Sequence, residues 1–360
     1  MHTSVATAVA SCSQADLSTF DQFQVVDEAD LSFHYYASLG SPGQGSSAAA
    51  APAAAAPAAA TLGLTSARTA QRQWQLLQDG LPPGIFVVAY AERVDLLRVL
   101  IVGPPGTPYH DAVFVFDLQL PADFPQQPPA VHYLSHGERI NPNLYENGKV
   151  CLSLLGTWTG RESCELWNPK TSTVLQVLVS IQALVLCEQP YYNEAGYERQ
   201  LGTDEGGHHA RRYNEGAFLL SLKSMQTSLR YLSPPFEALT RTHFQKARAR
   251  IVDRCRKLLE LKAAHPEAMA MLNGTCSSTA GQAPSHATAP AGAAGGEGGG
   301  ISAEAGSAEA SANDQVSRAG FKGVLNTWPT LGFLHSLERS LPALEMSLDG
   351  VVDTPAEGGS

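Results

Sequence analysis

The pattern of apolar and polar positions predicts regular structure mainly between residues 66 and 265. Four short apolar runs, separated by turns with Gly or Pro, predict β-strands at Ile85–Tyr90, Leu96–Val102, Val113–Leu120 and Ala130–Leu134. In the third run Phe116 and its neighbours on one face alternate with polar residues such as Asp117, as in a sheet with one buried side. The connections are too short for parallel crossovers, so the pattern predicts an antiparallel meander.

Helical patterns lie on both sides of these strands. Ser66 is a suitable N-cap for a helix that runs to about Gln78. The run Val174–Cys187 predicts a helix that is apolar on most sides and therefore packs in the core. Two further helices are predicted at Glu215–Tyr231 and Phe236–Ala264. With the strands, they predict an α+β fold whose helices are segregated from the sheet.

One long segment, Ser135–Ser172, separates the last strand from the apolar helix and has little periodicity. It is rich in Gly, Asn, Pro and Trp. An irregular segment of this length inside a compact domain usually carries function. We therefore expect the chemistry of the protein to lie there.

Composition predicts where the packed core ends. Residues 41–61 and 277–312 consist almost entirely of Ala, Ser, Gly and Pro, which bury too little apolar surface to offset the entropy lost on ordering. In the C-terminal tail, Pro329 and Pro342 are expected to limit any helix to short pieces. The predicted organisation is a disordered N-terminus at 1–65, a folded core at 66–231, a basic helix at 232–265, a disordered linker at 266–316 and a tail with short apolar segments at 317–360.

Charge and cysteine content exclude several classes of protein. A net charge of −10 argues against binding of nucleic acid, and the longest apolar run, Val174–Cys187, is too short to span a bilayer. The Lys and Arg residues of the last predicted helix are expected to form a solvated face. Six cysteines without a C-x-x-C pair indicate reduced thiols, so we expect a cytoplasmic or nuclear location.

The most specific motif lies in the irregular segment, where Asn141-Pro142-Asn143 precedes Cys151. Its surroundings, Asn-Pro-Asn-Leu-Tyr-Glu-Asn-Gly-Lys-Val-Cys, resemble the catalytic loop of ubiquitin-conjugating enzymes, in which His-Pro-Asn precedes the catalytic cysteine. The resemblance extends from about Arg72 to Cys255. Together with Tyr-Tyr-Asn-Glu-Ala-Gly at 191–196, the motif is similar to that of the large hybrid conjugating enzyme/ligases. The resemblance implies the ubiquitin-conjugating (UBC) fold, with its N-terminal helix, four-stranded antiparallel meander, long active-site loop, core helix and C-terminal helices.

The resemblance also implies roles for residues of this loop. Cys151 would accept ubiquitin as a thioester from the activating enzyme and pass it to lysine of substrate proteins. The activating enzyme uses the ATP, so no bound cofactor and no metal are expected. Asn143 would stabilise the oxyanion or support the loop, and Asn141 takes the place of the family histidine. Three neighbouring residues are candidates to orient or deprotonate the incoming lysine: Tyr192, Asn193 and Glu194.

General chemistry supports the roles of Cys151 and Asn143 independently of the resemblance. A thiol that receives an acyl group from another thioester forms a bond close in energy to the one that breaks, and it needs no dedicated base. Attack of an amine on the thioester builds negative charge on the carbonyl oxygen. One amide donor such as Asn143 is typically worth roughly 3–4 kcal/mol at that step.

Partner contacts are expected at further positions. Arg68 and Arg72 on the first helix would dock the activating enzyme. The positions expected to contact a ubiquitin ligase or another partner are Phe124, Gln126, Trp158 and Trp167. Many family members carry an aromatic residue where this chain has Gln126, which is compatible with a hybrid enzyme that serves as its own ligase.

Other functions fit the same residues less well. Cys151 with His132 or His136 suggests a cysteine protease, but the local protease signatures are missing. A zinc site fails because no two cysteines lie two to four residues apart, and Gly206-Gly207-His208-His209 is expected to be a solvent loop. Two rivals stay open: a catalytically silent binding module of the same fold, and a carrier of a different ubiquitin-like protein.

Overall fold

A mixed five-stranded β-sheet forms the centre of the protein. The computed structural model describes residues 17–27, 30–38, 64–157, 165–263, 265 and 329–352. The strands follow one another across the sheet in chain order: β1 (Phe23–Val26), β2 (Ile85–Tyr90), β3 (Leu96–Val102), β4 (Val113–Gln119) and β5 (Ala130–Tyr133). Strands β2 to β5 are antiparallel, with Val99 opposite Phe116, so the predicted meander is confirmed.

Strand β1 corrects the prediction that the whole of residues 1–65 is disordered. It pairs in parallel with β2, with Phe23 opposite Val87, and the side chain of Gln22 donates a hydrogen bond of 2.7 Å to Pro82 O. A half-exposed run of four residues gives almost no periodic signal, which is why the pattern missed it. The sheet is therefore not purely antiparallel.

The helices lie before, between and after the strands. In chain order they are α1 (Tyr35–Ser38), α2 (Leu64–Gly80), α3 (Val174–Ser180), α4 (Asp204–Arg230), α5 (Glu237–Ala263) and α6 (Leu331–Val352). Short 3-10 helices occupy Leu31–Phe33, Ser153–Leu155, Pro190–Asn193 and Tyr197–Gln200. One continuous apolar core contains the buried strand residues together with residues of α2 to α6.

A buried ion pair ties the N-terminal segment to the sheet. Arg98 of β3 and Asp117 of β4 lie opposite each other, and Arg98 Nε is 2.6 Å from Asp117 Oδ1. The backbone N–H of Tyr35 donates to Asp117 Oδ2 at 2.8 Å, and Phe33 O accepts a bond from Arg98. Because both charges are buried, these backbone partners are needed to offset the desolvation of the pair.

The apolar helix predicted at Val174–Cys187 changes its geometry halfway. Thr173 caps α3 with Gln176 in a reciprocal capping box, and the α-helix ends at Ser180. The chain continues as one π-helical turn, Ile181–Val185. Such turns are frequent at functional sites, and the Val185 carbonyl of this one accepts a bond from Asn141 in the irregular segment.

Helix α4 begins eleven residues earlier than its predicted start at Glu215. The two glycines and two histidines at 206–209, expected to form a solvent loop, lie in its first turns. Thr203 caps the helix by accepting a 3.0 Å bond from Gly206 N. Asp204 and Glu205 lie in the first turn, where their negative charges interact favourably with the positive end of the helix dipole. A Cβ at Gly206 would lie 2.1 Å from Gln200 O, so only glycine fits.

The C-terminal tail forms one helix, α6, and not the short pieces expected from its prolines. Pro342 is exposed on α6, while the buried stripe of Leu341 and Leu344 passes on the other side. Charged residues of α5 pair with acids of α6 in antiparallel order: Arg248 with Asp349, Arg256 with Glu345, and Lys262 with Glu338. These three ion pairs are accessible to water, and the Arg256 side chain is 65% exposed, so this part of α5 is solvated although it pairs with α6.

Two more basic residues of α5 point into the fold. Arg250 and Arg254 reach the carboxylate of Asp111 at 3.0 and 3.2 Å, and Asp111 is 1% exposed. Burial alone would raise the pKa of Asp111, but His110, Arg254 and Arg250 together hold it below its usual range. This cluster anchors α5 to the loop that precedes β4.

The residues on either side of the segment 266–328 are in contact. His265 Nε2 lies 2.9 Å from Pro329 O, so α5 and α6 form an antiparallel hairpin. Thr330 begins α6 by donating from its backbone N and its hydroxyl to the carboxylate of Glu215, each at 2.7 Å. Among the described residues, no helix is both long and apolar enough to cross a membrane.

Candidate active site

Cys151 and Asn143 are joined by two reciprocal hydrogen bonds. The backbone N–H of Cys151 donates to Asn143 O at 2.8 Å, and the side-chain amide of Asn143 donates to Cys151 O at 2.9 Å. An asparagine amide has two N–H groups, so it can donate a second hydrogen bond. Cys151 is only 2% exposed.

The side chain of Asn141 anchors the Asn141–Cys151 loop to the rest of the fold. It is fully buried, and its amide donates to the Tyr109 hydroxyl and to Val185 O, each at 2.7 Å. Its Oδ1 accepts a 2.8 Å bond from Asn143 N. One side chain thus connects the catalytic loop to the loop before β4 and to the π-helical turn. This explains how asparagine fills a position where the resemblance leads one to expect histidine.

A tight turn places the residues just before Cys151. Gly148 has φ of +83°, and a Cβ there would lie 2.0 Å from the imidazole of His132. The turn is closed by a 3.0 Å bond from Gly148 N to Tyr145 O. Only glycine satisfies both the positive φ and the close approach of the ring.

Tyr145 and Arg139 belong to the site although the sequence analysis did not select them. Burial and the neighbouring Cys151 raise the pKa of Tyr145. The guanidinium of Arg139 lies over the Tyr145 ring, 4.4 Å from its centroid. Both residues flank the Asn-Pro-Asn motif, and that proximity was the one signal in the sequence that could have selected them.

The three candidates for lysine orientation occupy different surroundings. Glu194 forms an ion pair of 3.1 Å with Arg139 and so reaches the catalytic loop. The amide of Asn193 is bonded to Leu184 O at 2.8 Å. Tyr192 is half-buried with its ring edge-on to Tyr191 at 5.2 Å. The structure therefore connects Glu194, among the three, to the surroundings of Cys151.

The residues expected to bind partners differ in their exposure. Phe124 is 5% exposed and packs on Trp167, whose indole donates to Pro125 O at 2.7 Å. The prediction that Phe124 lies on a contact surface is therefore wrong, because the ring is used inside the fold. Gln126 is exposed, as are Arg68 and Arg72 on α2, while Trp158 lies outside the described residues.

The histidines that suggested a protease do not face Cys151. His132 stacks on Tyr35 with 3.5 Å between ring centroids, and burial lowers the pKa of His132 to about 4. His136 stacks on Tyr231 at 5.9 Å. The described part of the chain contains no group of three or more His, Cys, Asp or Glu side chains arranged to hold a metal ion.

Comparisons with known proteins agree on one family. The family profile described as "Ubiquitin-conjugating enzyme" matches residues 69–217. "Putative ubiquitin-conjugating enzyme E2 39" of Arabidopsis thaliana is 46% identical over 239 residues, which cover 66% of this chain and 70% of that protein. "Probable ubiquitin-conjugating enzyme E2 23" of the same plant is 52% identical over 202 residues, 54% of this chain but 18% of that protein.

A human protein belongs to the same set of relatives. "Dual E2 ubiquitin-conjugating enzyme/E3 ubiquitin-protein ligase BIRC6" of Homo sapiens is 38% identical over 251 residues, which cover 66% of this chain and 5% of that protein. The chain thus spans less than a fifth of the length of E2 23 and of BIRC6.

Proposed function

The chain belongs to the ubiquitin-conjugating enzyme family, and from this we propose that it carries ubiquitin as a thioester on Cys151 and transfers it to lysine. The observation that carries the proposal is the reciprocal pair of hydrogen bonds between Cys151 and Asn143. This pair fixes a thiol and an amide donor side by side. An acyl-transfer site needs that combination of nucleophile and oxyanion donor.

In the first step the thiolate of Cys151 attacks the thioester carbonyl of ubiquitin on the activating enzyme. A new C–S bond forms, the old one breaks, and the thiolate of the activating enzyme leaves. The Cys151 proton is lost to solvent, and the leaving thiolate regains one. Exposed Arg68 and Arg72 on α2 are the proposed docking residues for that enzyme, which consumes the ATP, so we propose that this chain needs no cofactor.

In the second step a lysine amine attacks the thioester carbonyl on Cys151. The C–N bond of an isopeptide forms, the C–S bond breaks, and the Cys151 thiolate takes up the proton released by the amine. Asn143 is proposed to donate to the oxyanion in between. Asn141 is proposed to support the loop, since its three bonds hold Asn143 in place.

Ligase activity within the same chain is a finer proposal. It is supported by the likeness to BIRC6, whose name describes a dual enzyme, and by Gln126 at the exposed loop position. A reaction with activating enzyme, ubiquitin, ATP and a lysine-rich acceptor protein, without added ligase, is expected to yield conjugates. Charged enzyme that discharges only after a ligase is added would contradict this part.

A charging assay tests the proposal as a whole. Purified protein with activating enzyme, ubiquitin and ATP is expected to form an adduct that reductant removes. Cys151→Ser is expected to lose it or to form a reductant-resistant ester, while Cys187→Ser, a half-buried cysteine in the same domain, retains it.

Absence of the adduct in folded wild-type protein would refute ubiquitin charging. The same assay with other ubiquitin-like proteins would then separate a different carrier from a silent binding module. Folding of each variant is checked by circular dichroism.

A further inference from the structure

Strand β1 lies at one edge of the sheet. Among the residues that the structure describes, it pairs with β2 on one side and with no strand on the other. An edge strand presents a row of backbone N–H and C=O groups that can pair with a strand from another chain. Natural edges are usually protected by lysine, proline or a bulge, but Phe-Gln-Val-Val contains neither Lys nor Pro and pairs with β2 in unbroken register. This edge is therefore open to an added strand.

The hydrogen bonds to β2 show which backbone groups of β1 face outwards. Gln22 O accepts a bond of 2.7 Å from Val87 N, and Val26 O accepts one of 3.0 Å from the N–H that follows β2. Residues of a strand bond alternately to one side and to the other, so these even-numbered positions face β2. The N–H and C=O groups of Phe23 and Val25 therefore point away from the sheet.

The side chains of β1 leave room at this edge. Phe23 packs on Trp74 of α2, with 6.3 Å between the ring centroids. Val25 lies two residues further along the same face and is 47% exposed, whereas every residue of β2 is buried. An exposed apolar side chain thus stands beside the outward backbone groups, where it can contact a side chain of an added strand.

Acidic side chains flank the same edge. Asp21 and Asp27 lie at the two ends of β1 and Asp30 follows, and all three are exposed. The first 67 residues contain no Lys or Arg. Arg93, in the turn after β2, is paired with Asp95 at 2.8 Å, so its charge is offset. The edge therefore presents negative charge to a strand that approaches it.

We propose that the edge of β1 binds an extended segment of a partner protein that is rich in Lys or Arg, and that this segment joins the sheet as a sixth strand. Its backbone pairs with the outward groups of Phe23 and Val25, which supplies affinity, and its positive side chains lie near Asp21 and Asp27, which supplies specificity. This binding needs no ubiquitin and is independent of the proposed function.

A second copy of the chain fits the edge less well than a basic segment. Antiparallel pairing of two β1 strands through Phe23 and Val25 places Asp21 of one copy opposite Asp27 of the other. Like charges directly opposite each other destabilise a pair of strands. The acidic flanks thus disfavour self-association and favour a partner of opposite charge.

Fluorescence anisotropy with the full chain and a labelled peptide tests the proposal. The probe Lys-Lys-Thr-Val-Thr-Val-Lys-Lys is expected to bind, and to bind more weakly as the NaCl concentration rises. The same peptide with Glu in place of each Lys is expected to bind at least about tenfold more weakly, because its charges repel the flanking acids. A Lys-rich peptide N-methylated at its four central residues lacks backbone donors there and is expected to bind about tenfold more weakly or not at all.

Variants of the chain locate the binding edge. Val25→Pro removes an outward N–H without removing a bond to β2, and proline is tolerated at that position of an edge strand. It is expected to weaken peptide binding by about tenfold or more while denaturant unfolding stays unchanged. Asp21→Asn and Asp27→Asn are each expected to weaken binding roughly two- to threefold. Glu260→Gln, at an exposed acid of α5, is the matched control and is expected to bind as wild type does.

Several results would overturn the proposal. One is the absence of binding to folded wild-type protein up to about 1 mM Lys-rich peptide. Equal binding of the N-methylated peptide or of the Glu-containing peptide is another, since backbone pairing and charge are both required. If Val25→Pro does not fold, the N-methylated peptide with wild-type protein decides. A dimer in size-exclusion chromatography that Val25→Pro abolishes, without peptide binding, would instead assign the edge to a second copy.

Discussion

At the scale of single residues, one amide organises the catalytic loop. Asn141 bonds Tyr109, Val185 and Asn143, which come from three separate parts of the chain. Each partner is buried, so none of them finds water when the amide is removed. The side chain of Asn141 therefore combines a structural role with closeness to Cys151.

We predict that Asn141→Ala lowers the free energy of unfolding by roughly 1–3 kcal/mol, the cost of buried polar groups without partners. The charging rate is expected to fall as well, because Asn143 N loses its bond. Denaturant unfolding and the charging assay measure the two effects. Gln75→Ala, at an exposed position of α2, is the control for loss of a side-chain amide. A variant as stable as this control would contradict the argument.

Asn143→Ala is predicted to slow discharge to lysine about a hundredfold or more, the usual effect of removing one oxyanion donor. The rate is measured on enzyme that has already been charged, so that slow charging does not distort it. The alternative role, support of the loop, predicts a loss of stability without that loss of rate. Unfolding curves recorded beside the kinetics therefore distinguish the two roles.

Residues of the site differ in how readily the sequence reveals them. Cys151 and Asn143 are eight positions apart in one motif, and the resemblance selects both. The contact of Arg139 with Glu194 joins positions 55 residues apart, and a side chain over a ring leaves no periodic pattern. Such pairings depend on where the 3-10 helix Pro190–Asn193 ends, and no local propensity predicts that.

At the scale of elements, α1 is held against the sheet by histidines. His34 is buried and lies 3.6 Å from Asp117, and His132 of β5 stacks on Tyr35. Burial lowers the pKa of both, to about 4 for His132, against the opposing effect of Asp117. Both rings are therefore held neutral in the folded protein at neutral pH.

We predict that acid weakens the fold through this junction. A histidine has an ordinary pKa of about 6.5, so between that value and about 4 the unfolded chain binds more protons than the folded one. The free energy of unfolding is thus expected to fall as the pH is lowered through this window. His132→Gln is expected to flatten the slope in denaturant titrations at several pH values, and an unchanged slope would contradict the assignment.

The elements that the sequence predicted share a strong local signal. Strands β2 and β3 agree with prediction to the residue, because Gly- and Pro-containing segments bound them on the outer sides and the charged residues of 91–95 separate them. The sequence patterns missed strand β1 and the first turns of α4 for two different reasons. The strand is short and half-exposed. The helix has two glycines in its first turn, which disfavour a helix by themselves, but the cap at Thr203 and the close packing of Gly206 against Gln200 stabilise it there.

At the scale of the whole molecule, α6 completes a helical layer with α4 and α5. Seven of its apolar side chains are buried: Phe333, Leu334, Leu337, Leu341, Leu344, Leu348 and Val351. Burial of each such side chain contributes roughly 1.5–3 kcal/mol, so the helix accounts for as much as a whole domain's net stability. It is a structural part of the fold and not an optional tail.

Removal of residues 329–360 is therefore predicted to abolish cooperative folding of α4 and α5 and to cause aggregation. Circular dichroism on heating and size-exclusion chromatography measure this. Arg256→Gln, which removes one exposed ion pair to α6, is expected to change the free energy of unfolding by at most about 1 kcal/mol. A truncated chain that melts like the full chain would show that the apolar contacts of α6 contribute little.

The meeting of His265 with Pro329 has a consequence for how the chain can change over time. The two ends of residues 266–328 therefore lie at one point, and by the entropy of loop closure a segment of twice the length costs only about 0.6 kcal/mol more to close. Selection for stability thus exerts little pressure on the length of residues 266–328. This is where the gene can gain or lose coding sequence most freely, and where a fluorescent reporter can be inserted without separating α5 from α6.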